Sequence, residues 1–478
     1  MSYRYAFGRS PAVAAHAMVA TSQPLATRAG LRALERGGNA ADAALAAAAV
    51  LAVTEPTGNG IGGDCFAIVW KDGRADGLDS AGPAPANAEP LTPVAQEGAM
   101  SVTVPGAVGG WAALAERYGT LGLGECLSDA IDAAENGFAV TPLTAAAWQR
   151  GRRVPLEYLP APSVGEIVRL PELAATLRRI AADGPSAFYE GETAAAISSV
   201  TWLEDGDLAS FRPRWVEPLS VPYRGHEVLE LPPPTQGVAA LEGLGLLERS
   251  SPSLSSQIRC MQLALEDARD RVCDGADVSD LVSPEYLDRR RAAAPASVAE
   301  PPGGTVYLCA VDADRMAVSF IQSNYEGFGS GLVAPGTGVA LQNRGACFVV
   351  SGAVEPGRRP YHTIIPGLLL RDGALLGPFG VMGGFLQAQA HLQLVSAIVD
   401  DGLDPQAALE RPRFMIDGDV VRLEEGLWER DADLGRLGIA TVRETNTGYF
   451  GGGQAILVSG NALVGGSDPR KDGYAAGF

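Results

Sequence analysis

The chain has 478 residues, 46% of them hydrophobic and 19% charged, and a formal net charge of −19. That balance belongs to a folded globular protein rather than a disordered or fibrous one, and the length admits up to about three domains of roughly 150 residues or one large α/β body. The negative field disfavours nucleic acid and anionic membrane surfaces as partners.

The start of the chain, residues 1–10, carries Arg4 and Arg9 with no apolar core behind them and no small-residue cleavage site. No secretory signal is read, and the cytoplasm is the expected compartment. Residues 25–36 show helical leucine spacing closed by Gly37-Gly38, and Asn39 with Asp42 opens a second helix that stays apolar to Val53. At about 14 residues that run falls short of the roughly 20 needed to span a bilayer, so it is expected as a buried helix. A glycine run then leads into a short apolar strand at 65–70 that turns at Lys71-Asp72-Gly73.

Helical spacing returns at 121–137 and 171–183, with Gly137 and Gly184 as stops. Pro232 to Pro234 with Thr235, Gln236 and Gly237 marks a rigid turn between a strand at 227–231 and a helix through Leu247. A polar helix is expected at 251–273, and the Arg/Ala/Pro-rich stretch 280–302 reads as a mobile connector. Beyond it strands dominate: a hairpin of 306–311 and 316–322, a pair at 364–370 and 374–379, and a terminal pair within 455–464. A Gly383-Gly384 turn precedes a helix at 387–400. No linker is long enough to demand independent domains, and no fixed-period repeat is visible.

The chemistry is sought in a few places. Gly58-Asn59-Gly60-Ile61-Gly62-Gly63 matches G-x-G-x-x-G, and Asp79 follows at a suitable interval. A dinucleotide site needs a strand before those glycines and a helix after, and here the order is reversed, so no nicotinamide or flavin cofactor is expected. The four histidines, His16, His226, His362 and His391, lack metal-ligand spacing, and no metal is expected. The six cysteines include no C-x-x-C pair and read as reduced and mostly buried. Ser330, in Gly327-Phe328-Gly329-Ser330-Gly331, lacks the strand and helix of a nucleophile elbow.

Thr305 stands apart. It follows Pro301, Pro302, Gly303 and Gly304 at the edge of a strand, so a cut before it would expose an N-terminal threonine. Such a residue carries a hydroxyl nucleophile beside a free amine of pKa roughly 7.7–8.0 that can serve as its base. Gly383-Gly384, just before a helix, offers unhindered N–H groups suited to an oxyanion.

Many short runs, in order, then coincide with one family. His16 to Ala20, Gly37 to Ala43, Glu55-Pro56, Gly60 to Asp64, Val104 to Gly106, Pro232 to Gly237, Pro335 to Gly338, Gly383-Gly384 and Asp468 to Gly473 together make the chain resemble the gamma-glutamyltransferase family of N-terminal nucleophile hydrolases. The resemblance covers nearly the whole chain. It implies a four-layer αββα sandwich and self-cleavage between Gly304 and Thr305. The products, residues 1–304 and 305–478, would stay associated as one body, with a higher homo-oligomer left open.

It further implies Thr305 as nucleophile, Ser323 as the second hydroxyl that orients it, and Gly383 and Gly384 as oxyanion donors. The family's arginine clamp on the glutamyl carboxylate falls near Ala81, where no arginine stands. The residues that hold the glutamyl amine fall on Arg344 and Cys347, the serine pair on His362-Thr363, and an asparagine on Tyr325. These departures resemble a divergent subgroup that includes oxamate amidohydrolase. The expected substrate is therefore a small carboxylate-bearing amide read by Arg344, with His362, Thr363 and Tyr325 beside it. A γ-glutamyl hydrolase, transpeptidase or side-chain acylase with a rearranged site remains the alternative, as does an unprocessed binding protein on the same fold.

Overall fold

The structure is a computed structural model that describes residues 8–89, 94–151, 153–294 and 303–478. Two seven-stranded sheets face each other. The strands before residue 304 are β1 (Ala12–Ala14), β2 (Met18–Ala20), β3 (Asp64–Lys71), β4 (Arg74–Ser80), β5 (Arg214–Val216), β6 (Leu219–Tyr223) and β7 (His226–Glu230). Those after it are β8 (Gly304–Val311), β9 (Ala317–Tyr325), β10 (Gly367–Arg371), β11 (Ala374–Met382), β12 (Gly452–Ser459), β13 (Ala462–Ser467) and β14 (Ala475–Gly477). The first sheet runs β14-β2-β8-β9-β3-β4-β5 and the second β1-β13-β12-β11-β10-β7-β6.

Strand periodicity explains the layers. In β3, Phe66, Ile68 and Trp70 face the second sheet, while Cys65, Ala67 and Val69 face helices. Those helices are α1 (Pro24–Glu35), α2 (Ala40–Thr54), α3 (Ala107–Tyr118), α4 (Ser128–Asn136) and α5 (Pro171–Asp183). The outer face of the second sheet is covered by α6 (Gly237–Glu248), α7 (Leu254–Arg271) and α8 (Leu386–Val399). The result is the αββα sandwich that the resemblance implies.

Helix α2 shows why such a sequence must lie inside. Every residue of it is buried. Asn39 accepts from the Ala41 and Asp42 N–H groups, and Asp42 accepts in return from the Asn39 N–H. This closes the helix start without water. The glycines that follow lead into β3, confirming the helix-then-strand order that separates this run from a dinucleotide loop.

Some expectations need correction. The stretch read as a connector is ordered over part of its length, with a 3-10 turn at Ser279–Val282 and a helix at Pro284–Arg290. Asp267 of α7 fixes that helix by accepting from Tyr286 Oη at 2.8 Å and Arg290 Nε at 2.7 Å, a tertiary contact local composition does not reveal. Residues 295–302, including Pro301 and Pro302, lie outside the described residues. The expected helix 121–137 is broken at Leu127 into Leu123–Cys126 and α4. The strand expected from 306 begins at Gly304, which places Thr305 inside the sheet, and β10 starts at Gly367 rather than 364. All six cysteines are free, and only Cys273 is exposed. Among the described residues no helix is long and apolar enough to cross a membrane.

Candidate active site

Strand parity builds the site. Along β8, Val306, Leu308 and Ala310 pack towards the first helix layer, whereas Tyr307, Cys309 and Val311 face the other sheet. Thr305 therefore lies on the inter-sheet face. Ser323 of β9 and Asp64 of β3 are direct ladder partners on that same face, so the three residues form a row across adjacent strands. The β8–β9 register slips between Gly304 and Val306, a bulge of the kind that re-aims side chains at functional sites. At its end Tyr325 has φ +75°, uncommon for a residue with a side chain.

Hydrogen-bond accounting around Ser323 fixes its polarity. Its Oγ accepts from the Tyr325 N–H at 2.8 Å and from Arg344 Nη2 at 3.2 Å, and lies 2.7 Å from the Gly304 carbonyl oxygen. A hydroxyl has one hydrogen and two lone pairs. With both lone pairs engaged, the Ser323 hydrogen is directed at the Gly304 carbonyl. Thr305 Oγ1 sits 2.6 Å from that same oxygen and 3.3 Å from Ser323 Oγ, while Gln387 Nε2 donates to it at 3.4 Å. The 304–305 peptide bond thus has a hydroxyl at its side and a donor on the oxygen where negative charge would develop.

The surrounding backbone is close. A Cβ on Gly58 would lie 3.1 Å from the Thr305 nitrogen, and one on Gly303 would lie 3.1 Å from Gly384 Cα. Gly383 and Gly384 adopt φ +138° and +63°, and among the described residues neither N–H donates to a protein group. Gln236 Nε2 holds the turn by donating to the carbonyls of Thr363 and Gly384 at 2.7 and 3.1 Å.

Arg344 lies fully buried beyond Ser323. Its Nη1 donates to Thr363 Oγ1 at 3.0 Å and to Cys347 Sγ at 3.6 Å, and its guanidinium stands 4.7 Å from the Tyr325 ring centre. Its Nε has no protein partner, and among the described residues no carboxylate oxygen comes within 4.0 Å of the guanidinium. A buried cation without a paired anion is costly to hold.

Two acids and a histidine are buried nearby. Asp64 Oδ1 accepts from the Gly82 and Gly106 N–H groups at 3.2 and 3.1 Å, while Oδ2 has no hydrogen bond and lies 3.6 Å from His362 Nε2. Burial raises the Asp64 carboxyl from 3.8 to about 7, against the opposing pull of Arg344 and those two N–H groups. His362 is held well below its ordinary value by burial and then by Arg344 and Arg359, so it is neutral. Arg359 Nε donates to the Ala81 carbonyl at 2.7 Å and lies 3.8 Å from Asp79.

The sequence-predicted residues Gly304, Thr305, Ser323, Tyr325, Arg344, Thr363, Gly383 and Gly384 are brought together here. His362 lies at the edge, without a hydrogen bond to Arg344. Although no arginine occupies position 81, Arg359 from a distant segment reaches that carbonyl. Asp64, Gln236 and Gln387 were given no role from sequence, and Arg359 entered only as part of the run 359–362 that resembles the divergent subgroup. Asp64 had a signal, a carboxylate opening an otherwise apolar strand, and Gln236 lay within the matching run 232–237; Gln387 had none. Ser330 instead donates to the Leu341 carbonyl, a structural contact. A cleft of about 190 Å3 opens on Thr305 and Gly383 and is lined by Ser22, Thr144, Arg150 and Lys471, but not by Arg344. Among the described residues no group of three or more His, Cys, Asp or Glu is placed to hold a metal ion.

Comparison with known proteins gives a consistent result. A family model described as gamma-glutamyltranspeptidase matches residues 26–478. The oxamate amidohydrolase proenzyme of Klebsiella pneumoniae is 33% identical, over 98% of this chain and 99% of its own. A glutathione hydrolase-like proenzyme of Bacillus subtilis is 32% identical, over 96% and 98%. The crystal structure of a cephalosporin acylase from Bacillus halodurans superposes with a TM-score of 0.92 at 42% identity, covering 100% of this chain and 98% of that one.

Proposed function

The chain belongs to the gamma-glutamyltranspeptidase family of N-terminal nucleophile enzymes, and on that premise we propose a self-cleaving amidohydrolase with Thr305 as nucleophile and a small carboxylate-bearing amide as substrate. The observation that carries the substrate class is Arg344, a buried guanidinium next to Ser323 with no carboxylate partner among the described residues. A substrate carboxylate would supply that partner through charge-assisted hydrogen bonds.

In the proposed maturation Thr305 Oγ1 bonds to the Gly304 carbonyl carbon, the C–N bond breaks, and the hydroxyl proton passes to the new amine. The Ser323 hydroxyl steadies the developing oxyanion. Water then hydrolyses the ester, freeing residues 1–304 and 305–478. Because the Gly304 carbonyl rests on Ser323, which also contacts Arg344, withdrawal of the cut end would extend the open cleft towards Arg344.

In turnover the Thr305 amine accepts the hydroxyl proton as Oγ1 attacks the substrate carbonyl, and the Gly383 and Gly384 N–H groups receive the oxyanion. Protonation expels the amine, and water releases the acid. An oxamate-like acyl group fits a carboxylate held close to the reacting carbon. Glutamate fits less well, since an arginine and a cysteine stand where the family binds its amine.

The test has two arms. Purified protein should convert to two fragments, the smaller beginning at Thr305, while Thr305→Ala stays a single band. The processed enzyme should prefer oxamate over γ-glutamyl anilide and neutral acyl amides, and Arg344→Gln should lower kcat/KM on carboxylate amides on the order of 10²-fold, with little change on neutral ones. A wild-type chain that never cleaves refutes the nucleophile. Unchanged carboxylate selectivity in Arg344→Gln refutes the substrate class.

A further inference from the structure

Resting on that reading of Arg344, the charge count of the buried cluster leads further. Asp79 on β4 is matched by Arg359 at 3.8 Å, and Arg359 is also held by the Ala81 carbonyl. His362 is neutral. Cys65 and Tyr189 are pushed up by burial and stay un-ionised, the tyrosine hydroxyl bonded to the Pro105 carbonyl at 2.8 Å. Among the described residues what remains is one guanidinium, Arg344, and one carboxyl, Asp64, both fully buried and more than 4.0 Å apart.

Bringing a substrate carboxylate to Arg344 would set two buried anions against one cation, which like-charge repulsion in a poorly solvated space opposes. We infer that Asp64 is the charge-balancing residue of this buried cluster, taking up a proton when a substrate carboxylate docks on Arg344, so that the site accepts a monoanionic acyl group as a neutral pair.

The geometry gives that proton a place. Oδ1 is already held by the Gly82 and Gly106 N–H groups, so protonation falls on the free Oδ2. Oδ2 lies 3.6 Å from the Nε2 of neutral His362, which has no other partner and can accept. Position supports the same role. Asp64 is the ladder neighbour of Ser323, so its charge lies one strand from the residue that links Arg344 to Thr305. The raised Asp64 carboxyl, at about 7, makes uptake feasible near neutrality.

The consequence is a carboxylate affinity that weakens as pH rises. The probe is pyruvate, which replaces the amide nitrogen of oxamate with a methyl group and offers no amide to hydrolyse. Its inhibition constant would be measured on the processed wild type, Asp64→Asn and Arg344→Gln across neutral to alkaline pH. Asparagine keeps the Oδ1 acceptor for Gly82 and Gly106 while removing the charge. From pH 7.5 to 8.5 the wild-type constant should rise about tenfold more than that of Asp64→Asn, the expectation for one linked proton. The Thr305 amine titrates in both proteins and drops out of the comparison.

Equal slopes in wild type and Asp64→Asn, with binding still dependent on Arg344, overturn the role of Asp64 and leave Arg344 standing. Equal binding to wild type and Arg344→Gln overturns the reading of Arg344, and this inference with it. If Asp64→Asn does not mature, difference infrared spectroscopy of the wild type at pH 8 decides. Pyruvate should produce a protonated-carboxyl band that moves when the protein's aspartates carry carbon-13, and absence of that band refutes the proposal.

Discussion

Replacing Ser323 with alanine tests the site at its most connected atom. Ser323 Oγ directs its hydrogen to the Gly304 carbonyl at 2.7 Å and accepts from the Tyr325 N–H and Arg344 Nη2. Alanine removes the one side-chain hydroxyl among the described residues, other than Thr305 itself, that donates to that carbonyl. Loss of one oxyanion donor lowers rate by about 10²–10³, so self-cleavage should slow by that factor. The same change strands a buried backbone N–H and a buried guanidinium nitrogen, an expected loss on the order of 3–5 kcal/mol in folding stability. The two effects are separable. Cleavage is followed as disappearance of the full-length band in soluble protein with native circular dichroism, and stability is measured in a Thr305→Ala background that cannot cleave. Ser323→Thr, which restores the hydroxyl, should recover most of the cleavage rate. Folded Ser323→Ala protein that cleaves within about threefold of wild type would refute the hydrogen-bond accounting on which the site is built.

Three further outcomes are expected. Gly58→Ala places a Cβ 3.1 Å from the Thr305 nitrogen and 3.3 Å from its carbonyl oxygen, both backbone atoms; cleavage should slow at least about tenfold with about 1–3 kcal/mol of destabilisation, and an unchanged time course would show that the loop moves freely. Asp64 ionises near 3.8 when unfolded but at about 7 when folded, so its contribution to stability is present below pH 3.8 and lost as pH rises through 7. In the uncleaved Thr305→Ala background, Asp64→Asn should accordingly gain little at pH 4 and on the order of 4 kcal/mol at pH 8, and denaturant unfolding that shows equal gains at both pH values refutes the burial argument. His391 Nε2 accepts the Val381 N–H at 3.0 Å, which leaves the ring hydrogen on Nδ1 to donate to Glu230 Oε1 at 2.6 Å. Glu230→Gln, which keeps an acceptor, should lose less than about 1 kcal/mol and Glu230→Leu about 1–3 more, as read from denaturant midpoints; equal losses would show that the Glu230–His391 hydrogen bond adds nothing to stability.

Much of the architecture could be read before any coordinates. Helix α2 announced itself by a cap at Asn39 and an unbroken apolar run, and α5 ran over the residues its period predicted. These are local signals, carried by neighbours in sequence. The ordered part of the connector, residues 279–290, is not legible from local composition because it is held by Asp267, 23 positions before Arg290. The same divide runs through the site. Thr305, Ser323 and the glycine pair are proposed from motif and resemblance, since each sits in a recognisable run, and the fold brings them together. Asp64 lies among residues that did contribute to the resemblance, but its chemistry depends on what two other strands and the His362 segment place around it. Arg359 could not have been assigned to the Ala81 carbonyl from sequence, because 278 positions separate them.

Both sheets are woven from segments on either side of residue 305. In the first, β8 and β9 are flanked by β2 and β3; in the second, β10 pairs with β7 and β13 with β1. The intact chain can find this interleaving as a unimolecular search. With the 304–305 bond cut as proposed, the same structure would have to be regained by two separate polypeptides meeting at the right register in both sheets, a concentration-dependent event with no tether. Mature enzyme unfolded in denaturant should therefore refold poorly where the precursor refolds well, so that maturation also discards the means of rebuilding the fold and leaves its lifetime set by the barrier to unfolding.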